Sequence, residues 1–338
     1  MTKTNPTILI AMPLYQGWEH VGQALDSIRR QTYGNFRVLI SVDGNDKRSY
    51  EACTPFMDDQ RFELVLQHVH LDWHGNMTWL GEQLREDFFC YWQHDDHCEP
   101  EYLETLVKHA VNNPQATSIY CDMQVYGDME KLTQVPSQKG FALERVMFHV
   151  LTPPEPAAIR CLVRAVAMKA ALPITVVHTW LMTIARLGEL HRVPQLMYHR
   201  RCRPESLTFT LPERSESVLK RDALEWALGV VKNLQPLIGA GEITTLFSMV
   251  VELTINQIPR GKYQYDFRYV DRGEQLRFVA EFLSEAESRL GLRPYPDAGF
   301  VGGGGDNGVH PGNRGRELLP GEDLLIDALR MNADSGAP

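Results

Sequence analysis

The stretch Gln93-His94-Asp95-Asp96-His97 sets two carboxylates side by side where the aromatic, apolar run Phe88-Phe89-Cys90-Tyr91-Trp92 stops and a helix is about to begin. Adjacent like charges repel unless a cation neutralises them. A hard oxygen pair that leaves coordination positions open suits Mg2+ or Mn2+ bridging to substrate phosphates, so Asp95 and Asp96 read as a metal-diphosphate clamp. Two more polar groups close apolar runs in the same way, Pro13-Leu14-Tyr15 and Asp43-Gly44-Asn45-Asp46. In an open parallel sheet ligands bind beyond the carboxyl ends of the strands, so three such ends predict one shared site.

The elements that carry these groups alternate between two hydrophobic periods. TILIAMPL (7–14) is a continuous apolar run, Val21, Leu25 and Ile28 recur at helical spacing, and FRVLISV (36–42) is apolar again. The pattern continues with a strand in FELVLQHV (62–69), a helix over 76–86, a strand in FFCYWQ (88–93), a helix from Pro100 and a strand in TSIYCD (117–122). Pro100 suits a first helical position, with Leu103, Leu106, Val107, Ala110 and Val111 as its apolar stripe. This alternation implies a mostly parallel sheet with helices on both faces.

From about residue 140 the regularity breaks, and the proline-rich TPPEPAAIR (152–160) precedes two helical segments and VPQLMYHRRCRPESLT. This half is expected to close over the sheet rather than extend it. Residues 215–291 are mainly helical in pattern, and after Arg293 the run GFVGGGGDNGVHPGNRG is too poor in apolar residues to fold alone. Its four glycines lack the Gly-Lys-Ser/Thr of a phosphate loop. The last segment, GEDLLIDALRM, has the pattern of a short amphipathic helix. The organisation expected is therefore 1–212 as one α/β domain with its halves at 1–125 and 126–212, a helical subdomain over 213–293, and a Gly-rich tail over 294–338.

A chain of 338 residues, 43% hydrophobic, can bury a sizeable core, and its net charge of -9 gives no electrostatic footprint for nucleic acid. The opening MTKTNPTILIAMPLY has too short an apolar run for a signal peptide, and LFSMVVELTI is too short to span a bilayer, so a soluble, cytoplasmic protein is expected. The six cysteines include no C-x-x-C pair and read as reduced, packed thiols.

The stretch ILIAMPLYQGWEHVGQALDSIRRQTYGNFRVLISVDGND resembles the opening of family 2 glycosyltransferases, in which a strand ends in Pro-x-Tyr-Asn, a helix carries ALDSIxxQT and a second strand ends in VDDGS. YWQHDDHCEPEYLETL resembles that family's D-x-D segment, FLDxDDxxxPxYLxxL, and the likeness covers about residues 7–125. It implies a GT-A fold and an inverting, metal-dependent transfer, of the hexosyltransferase type, from a nucleotide-diphosphate sugar to a saccharide or lipid-linked acceptor in glycan assembly. By the same resemblance Tyr15 and Asp43, beside Pro13, fall where the nucleotide base is held, and Asn76 falls at the family's "RN" helix start near the donor. Asp95 and Asp96 fall on the groups that bind Mn2+ or Mg2+ and the diphosphate. Asp96 is further expected to be catalytic through the metal, with Asp96→Asn cutting turnover and sparing the fold.

Departures from the family's pattern are informative. Gln16 replaces the asparagine after the tyrosine, Gln93 replaces the leading acid of D-x-D-D, and VDDGS is reduced to Val42-Asp43-Gly44-Asn45. The family's Glu-Asp pair, whose aspartate serves as general base, aligns with Val176 and Val177, and His178 next door is the candidate substitute, its other reading being a buried histidine satisfied by a backbone carbonyl. LMYHRRCRPESLT resembles the family's LYxRRxHPxSxT, with Arg203 at the usual histidine and His199 nearby, so at least one of these two is expected to meet the leaving diphosphate, the other reading being a solvated charged loop.

Other clusters read more plainly. Cys90, His94, His97 and Cys98 match no zinc-finger spacing. His68 and His70 alternate as one polar face of a strand, and Asn76 suits a helix entry. A nucleotidyltransferase would want a Gly-rich basic loop after the first strand, which AMPLYQGWEH does not provide. A non-catalytic donor-binding or scaffold protein fits the absent acid pair. The helical region and C-terminal segment are candidates for a homodimer or peripheral membrane contact, although neither has a diagnostic basic face.

Overall fold

The computed structural model describes residues 5–152, 156–203, 215–256, 265–295 and 318–334. They fall into two compact units, Met1–Thr210 and Leu211–Pro338.

In the first unit, β1 (Ile8–Leu14) is buried along its whole length, as an uninterrupted apolar run requires when it lies between two neighbours. It pairs in parallel with β2 (Phe36–Val42) on one side and β4 (Phe88–Tyr91) on the other, and β3 (Phe62–Leu66) continues the parallel set beyond β2. The connecting helices are α1 (Val21–Arg29), α2 (Lys47–Cys53) and α3 (Asp72–Glu82); α1 follows the pattern read from the sequence, α2 was not read there, and α3 is shifted. The third helix starts four residues before Asn76. Asp72 Oδ1 accepts from the backbone N–H of His74 at 2.8 Å and of Gly75 at 3.0 Å, which satisfies donors that a helix start leaves unpaired.

Beyond β4 come β5 (His97–Cys98), α4 (Tyr102–Asn112), β6 (Ala116–Gly127), β7 (Lys131–Thr133), α5 (Ala142–Leu151), α6 (Pro156–Ile159), β8 (Leu162–Arg164), α7 (Ala165–Ala170), α8 (Val177–Leu187) and β9 (Glu189–Cys202). Pro100 precedes α4 rather than opening it, and its carbonyl accepts from Thr32 N at 2.9 Å. The strand order is β3-β2-β1-β4-β8-β6-β9-β5, with β7 beside β6. The expectation that the half after residue 140 closes over the sheet is therefore wrong. β8 inserts antiparallel between β4 and β6, and β9 lies parallel to β6, so the sheet is parallel as far as β4 and mixed beyond it.

Pro194 concealed β9 in the sequence, because proline lacks the N–H that a ladder needs. The strand absorbs it with register shifts on either side of Asp122, where Val193 faces Cys121 but Leu196 faces Asp122. The buried Asp122 carboxylate then receives Arg192 Nε at 2.6 Å and Nη2 at 2.8 Å, a forked pair that pins the two long strands together.

The second unit contains the helices α9 (Glu216–Leu234), α10 (Ile243–Ile255), α11 (Arg272–Leu290) and α12 (Glu322–Asp334). Phe247, Phe267, Phe278 and Phe282 stack in its core. Asp271 caps α11 by accepting from Glu274 N at 2.8 Å, and Gly291, at φ +67°, ends it in the left-handed conformation. α12 packs against α10 and α11, and the buried Glu322 carboxylate accepts from Leu319 N at 2.9 Å and the Tyr295 hydroxyl at 3.0 Å. The glycine-rich stretch of the expected tail lies outside the described residues. No described helix is long and apolar enough to cross a membrane.

On α5, which packs against α8, the buried His149 is pushed down to about 4 by its burial alone. It is neutral in the fold and takes up a proton when the chain unfolds below pH 6.5, so stability is lost as pH falls from about 6.5 towards 4. Urea unfolding followed by tryptophan fluorescence should report about 2 kcal/mol less stability at pH 5 than at pH 7 from this group. His149→Leu should flatten that slope.

Candidate functional site

The parallel strands deliver their carboxyl ends to one edge, but they do not end level. Leu14 lies opposite Val42, and Val42 opposite Leu66, whereas β4 stops at Tyr91 opposite Ala11. β1 therefore overhangs β4 by Met12, Pro13 and Leu14, and the chain after Tyr91 turns into the notch. Trp92 N donates to Ala11 O at 3.0 Å, and Asp96 N donates back to Gln93 O at 3.2 Å. The fully buried Trp92 indole anchors this turn, with Nε1 3.4 Å from Asp96 O.

The turn separates the two carboxylates. Asp96 points inward, its side chain sealed from solvent. Its Oδ2 accepts from Arg160 Nε at 2.8 Å and the Tyr198 hydroxyl at 2.9 Å, and its Oδ1 accepts from Arg201 N at 3.0 Å. Asp95 instead meets Arg203, whose Nη2 lies 3.0 Å from Oδ2, and its Oδ1 has no hydrogen-bond partner among the described residues.

Burial pushes the Asp96 carboxyl above its ordinary value, Arg160 pulls it down and Asp95 pushes it up again. For Arg160 burial works against the charge, but Asp96, Tyr198 and Tyr91 outweigh it and hold the guanidinium above its ordinary value. Arg160 is charged, and three donors aimed at Asp96 match the ionised carboxylate. Tyr198 is pushed well above 10 by burial and by Asp96, so it serves as a donor. Further cationic groups stand near this pair. Burial, then Arg160, lowers Arg200, and burial, then Arg203 and Arg201, lowers His20 at the entry to α1. Clustered cationic groups beside a strand-end notch favour an anion.

A second corner forms where β1 and β2 end. Asp43 is 2% exposed. Its Oδ1 accepts from Leu71 N at 2.8 Å and its Oδ2 lies 3.0 Å from His70 Nδ1. The His70 ring packs against Tyr15 with centroids 4.8 Å apart and planes tilted by 47°, and Tyr15 is 45% exposed. Gly44, at φ +62°, brings its backbone under both rings, where a Cβ would approach His70 Nδ1 to 3.0 Å and Tyr15 Cε2 to 3.2 Å. Asp46 locks the loop by accepting from Gln16 N at 2.7 Å and from Ser49 N at the cap of α2.

Of the residues expected at the site, Asp95, Asp96 and Arg203 come together at the notch, and Tyr15 and Asp43 form the second corner. Pro13 belongs to β1 itself. Asn76 is not a helix entry but the fifth residue of α3, where its buried Nδ2 donates to Ser41 O at 3.0 Å and ties helix to strand. His199 stays apart from the carboxylates, because its Nε2 pairs with Glu99 at 2.7 Å and its ring stacks on His97 at 4.7 Å. His178 sits in the first turn of α8, which contains no acid.

His70 does not lie on a strand face, since β3 ends at Leu66 and frees the following residues to fold back on Asp43. The four residues with zinc-ligand types do not converge. The buried Cys90 belongs to β4, the His94 ring packs on Gly17, and His97 meets Tyr126 and His199. Arg160, Tyr198, His70 and His20 were missed. Tyr198 stands in the family-like segment and was readable there, whereas Arg160 follows a proline-rich turn with no pattern around it.

The residues fit a divalent cation at one carboxylate. Asp96 offers a poor ligand, because its oxygens are filled by protein donors and sealed. Asp95 Oδ1 is open, and one carboxylate completed by substrate phosphates and water is an ordinary Mg2+ or Mn2+ set. Among the described residues no group of three or more His, Cys, Asp or Glu side chains gathers to hold a metal.

Sheet and site together define an α/β domain of the GT-A type. The fold is shared with residues 1–349 of S. aureus TarS in complex with UDP-GlcNAc, with a TM-score of 0.60, 11% identity and coverage of 82% of this chain and 81% of that one. Residues 9–162 match the model of Glycosyl transferase family 2. The chain is 26% identical over 104 residues to glycosyltransferase GlyA of Streptococcus pneumoniae serotype 4 (strain ATCC BAA-334 / TIGR4), covering 31% of this chain and 15% of GlyA. It is 26% identical over 108 residues to EpsH of Bacillus subtilis (strain 168), covering 31% of each. The chain thus spans well under half the length of either relative.

The geometry changes what the two aspartates should do when altered. Asp96→Asn leaves Arg160 without its charge partner and should cost about 3–5 kcal/mol of unfolding free energy in urea, against the expectation that the fold is spared. Asp95→Asn, facing a partly exposed arginine, should cost no more than about 1 kcal/mol.

Proposed function

We propose that the first unit is a glycosyltransferase that moves a sugar from a nucleoside-diphosphate donor to a saccharide or lipid-linked acceptor in glycan assembly. The observation that carries this reading is the notch at the carboxyl edge, where Asp95 Oδ1 has no hydrogen-bond partner among the described residues while Arg203 meets Asp95 and Arg160 meets the adjacent Asp96. TarS was crystallised with UDP-GlcNAc, which makes a uridine donor the first to try.

In this reading the Tyr15 corner takes the base and the notch takes the diphosphate. Arg203 and its neighbours face the charge that develops on the departing diphosphate. Asp95 Oδ1 would hold Mn2+ or Mg2+, and the bound cation supplies Lewis-acid stabilisation of that leaving group. Asp96 holds the turn and so positions Asp95. A single in-line displacement by the acceptor hydroxyl inverts the anomeric carbon. His178, in place of the family's acid, is the candidate to take the hydroxyl proton. The first turn of α8 has no acid, which also favours a second reading, a domain that binds the donor without transferring it.

Calorimetric titration with UDP, GDP and dTDP, each with and without Mn2+, should show metal-dependent binding of one nucleotide in the wild type. Asp95→Asn should weaken it by at least about tenfold. Binding of none of the three would overturn the assignment. Release of the sugar from the matching donor, in the presence or absence of acceptor, separates transferase from binder.

A further inference from the structure

Resting on the donor site just described, we propose that His70, and not Asp43, reads the nucleobase, and that it selects bases carrying a ring imino N–H, namely uracil, thymine or guanine, over cytosine and adenine.

Asp43 is badly placed to meet a base. Its side chain is 3% exposed, Oδ1 accepts from Leu71 N at 2.8 Å, and His70 Nδ1 stands 3.0 Å from Oδ2, between that oxygen and the outside. The imidazole is the group that reaches outward, with its side chain 54% exposed. In the tautomer this proposal assigns, the proton sits on Nδ1 facing the Asp43 carboxylate, and Nε2 is left as an acceptor. Nε2 has no partner among the described residues. An imino N–H, N3–H of uracil or thymine and N1–H of guanine, satisfies that acceptor. Cytosine N3 and adenine N1 are themselves acceptors and leave both lone pairs unmatched, which a site built around one hydrogen bond discriminates against.

Two features show that the imidazole is built into the corner. Gly44 supplies the left-handed turn and the missing Cβ that let both rings lie over its backbone. Tyr15 packs against the His70 ring at 47° and holds its plane, while being exposed enough itself to stack on a base. Asp43 is then a positioning residue that fixes the tautomer of His70, as carboxylates do for histidines elsewhere.

The test is calorimetry with Mn2+ on the wild type, His70→Phe and His70→Ala, using UDP, dTDP, GDP, CDP and ADP, and pyrophosphate as a probe of the diphosphate notch alone. The wild type should prefer UDP to CDP, or GDP to ADP, by about tenfold or more. His70→Phe keeps a ring for Tyr15 but no nitrogen, and should narrow that preference to within about threefold while pyrophosphate binds as before. His70→Ala should do the same with weaker binding of every nucleotide. A preference that survives both variants would overturn the proposal in favour of direct reading by Asp43. Tighter binding to His70→Ala would also overturn it, by showing that the imidazole fills the base slot and must leave. Wild type that binds pyrophosphate but no nucleotide more tightly removes the base corner only. Absence of pyrophosphate binding removes the donor site, and this proposal with it.

Discussion

The carboxylate of Asp96 is the constraint on which the site depends. It gathers a guanidinium from the segment before β8, a phenol from the middle of β9 and a backbone N–H three residues further along that strand. None of these stretches is near the D-D turn in sequence, so one buried anion fixes the mutual position of three parts of the chain. Desolvating a carboxylate and a guanidinium costs several kcal/mol for each ion. Three donors at 2.8–3.0 Å offset that cost only while all are present, which makes the arrangement specific rather than strongly stabilising. Adjacent aspartates are tolerated because each has its own arginine, Arg160 inward and Arg203 outward. Repulsion between the two is met on both sides, and the inner pair sets the direction of the outer one.

The sheet makes room for this turn by its stagger. β4 ends opposite Ala11 and leaves the last residues of β1 without a neighbour on that side, so the aromatic run ends in a notch rather than a flat edge. β9 closes the notch from the other side by pairing antiparallel with β5, His97 against His199 and Cys98 against Tyr198. The shifts around Asp122 let a strand containing a proline reach this far with Tyr198 turned inward. Fold and chemistry are thus linked through one register.

Much of this was legible beforehand, for identifiable reasons. Continuous apolar runs and helical spacing located β1, α1, β2, β4 and α4, because burial on both faces of a parallel strand and on one face of a helix writes itself into short windows of sequence. The strand ends located Asp43 and Asp95. What stayed hidden depends on partners far along the chain. Nothing local tells which of two adjacent carboxylates faces inward, since that is decided by Arg160, 64 residues away. Alternation was misleading at His68 and His70, where a strand was expected to run on, yet β3 stops with its last pairing to β2 at Leu66. Pro194 hid β9 for the opposite reason, a local rule overridden by tertiary pairing.

The replacement of the family's leading acid by Gln93 follows from the same charge balance. The Tyr91 hydroxyl donates to the Gln93 amide oxygen and accepts from Trp73 Nε1 at 3.2 Å, so the glutamine completes a neutral relay between β4 and α3. An acid there would add a third negative charge beside Asp95 and Asp96, close to the buried Tyr91, whose phenol is pushed up to about 12 by burial. With an amide instead, the two carboxylates face Arg160 and Arg203, with Arg200 close to Asp96. In the donor reading proposed above, a diphosphate would meet these guanidinium groups and Asp95 Oδ1 would keep a place for a divalent cation. The departure from the family's pattern thus removes one acid from a turn whose two remaining carboxylates each have an arginine, Arg160 at Asp96 and Arg203 at Asp95.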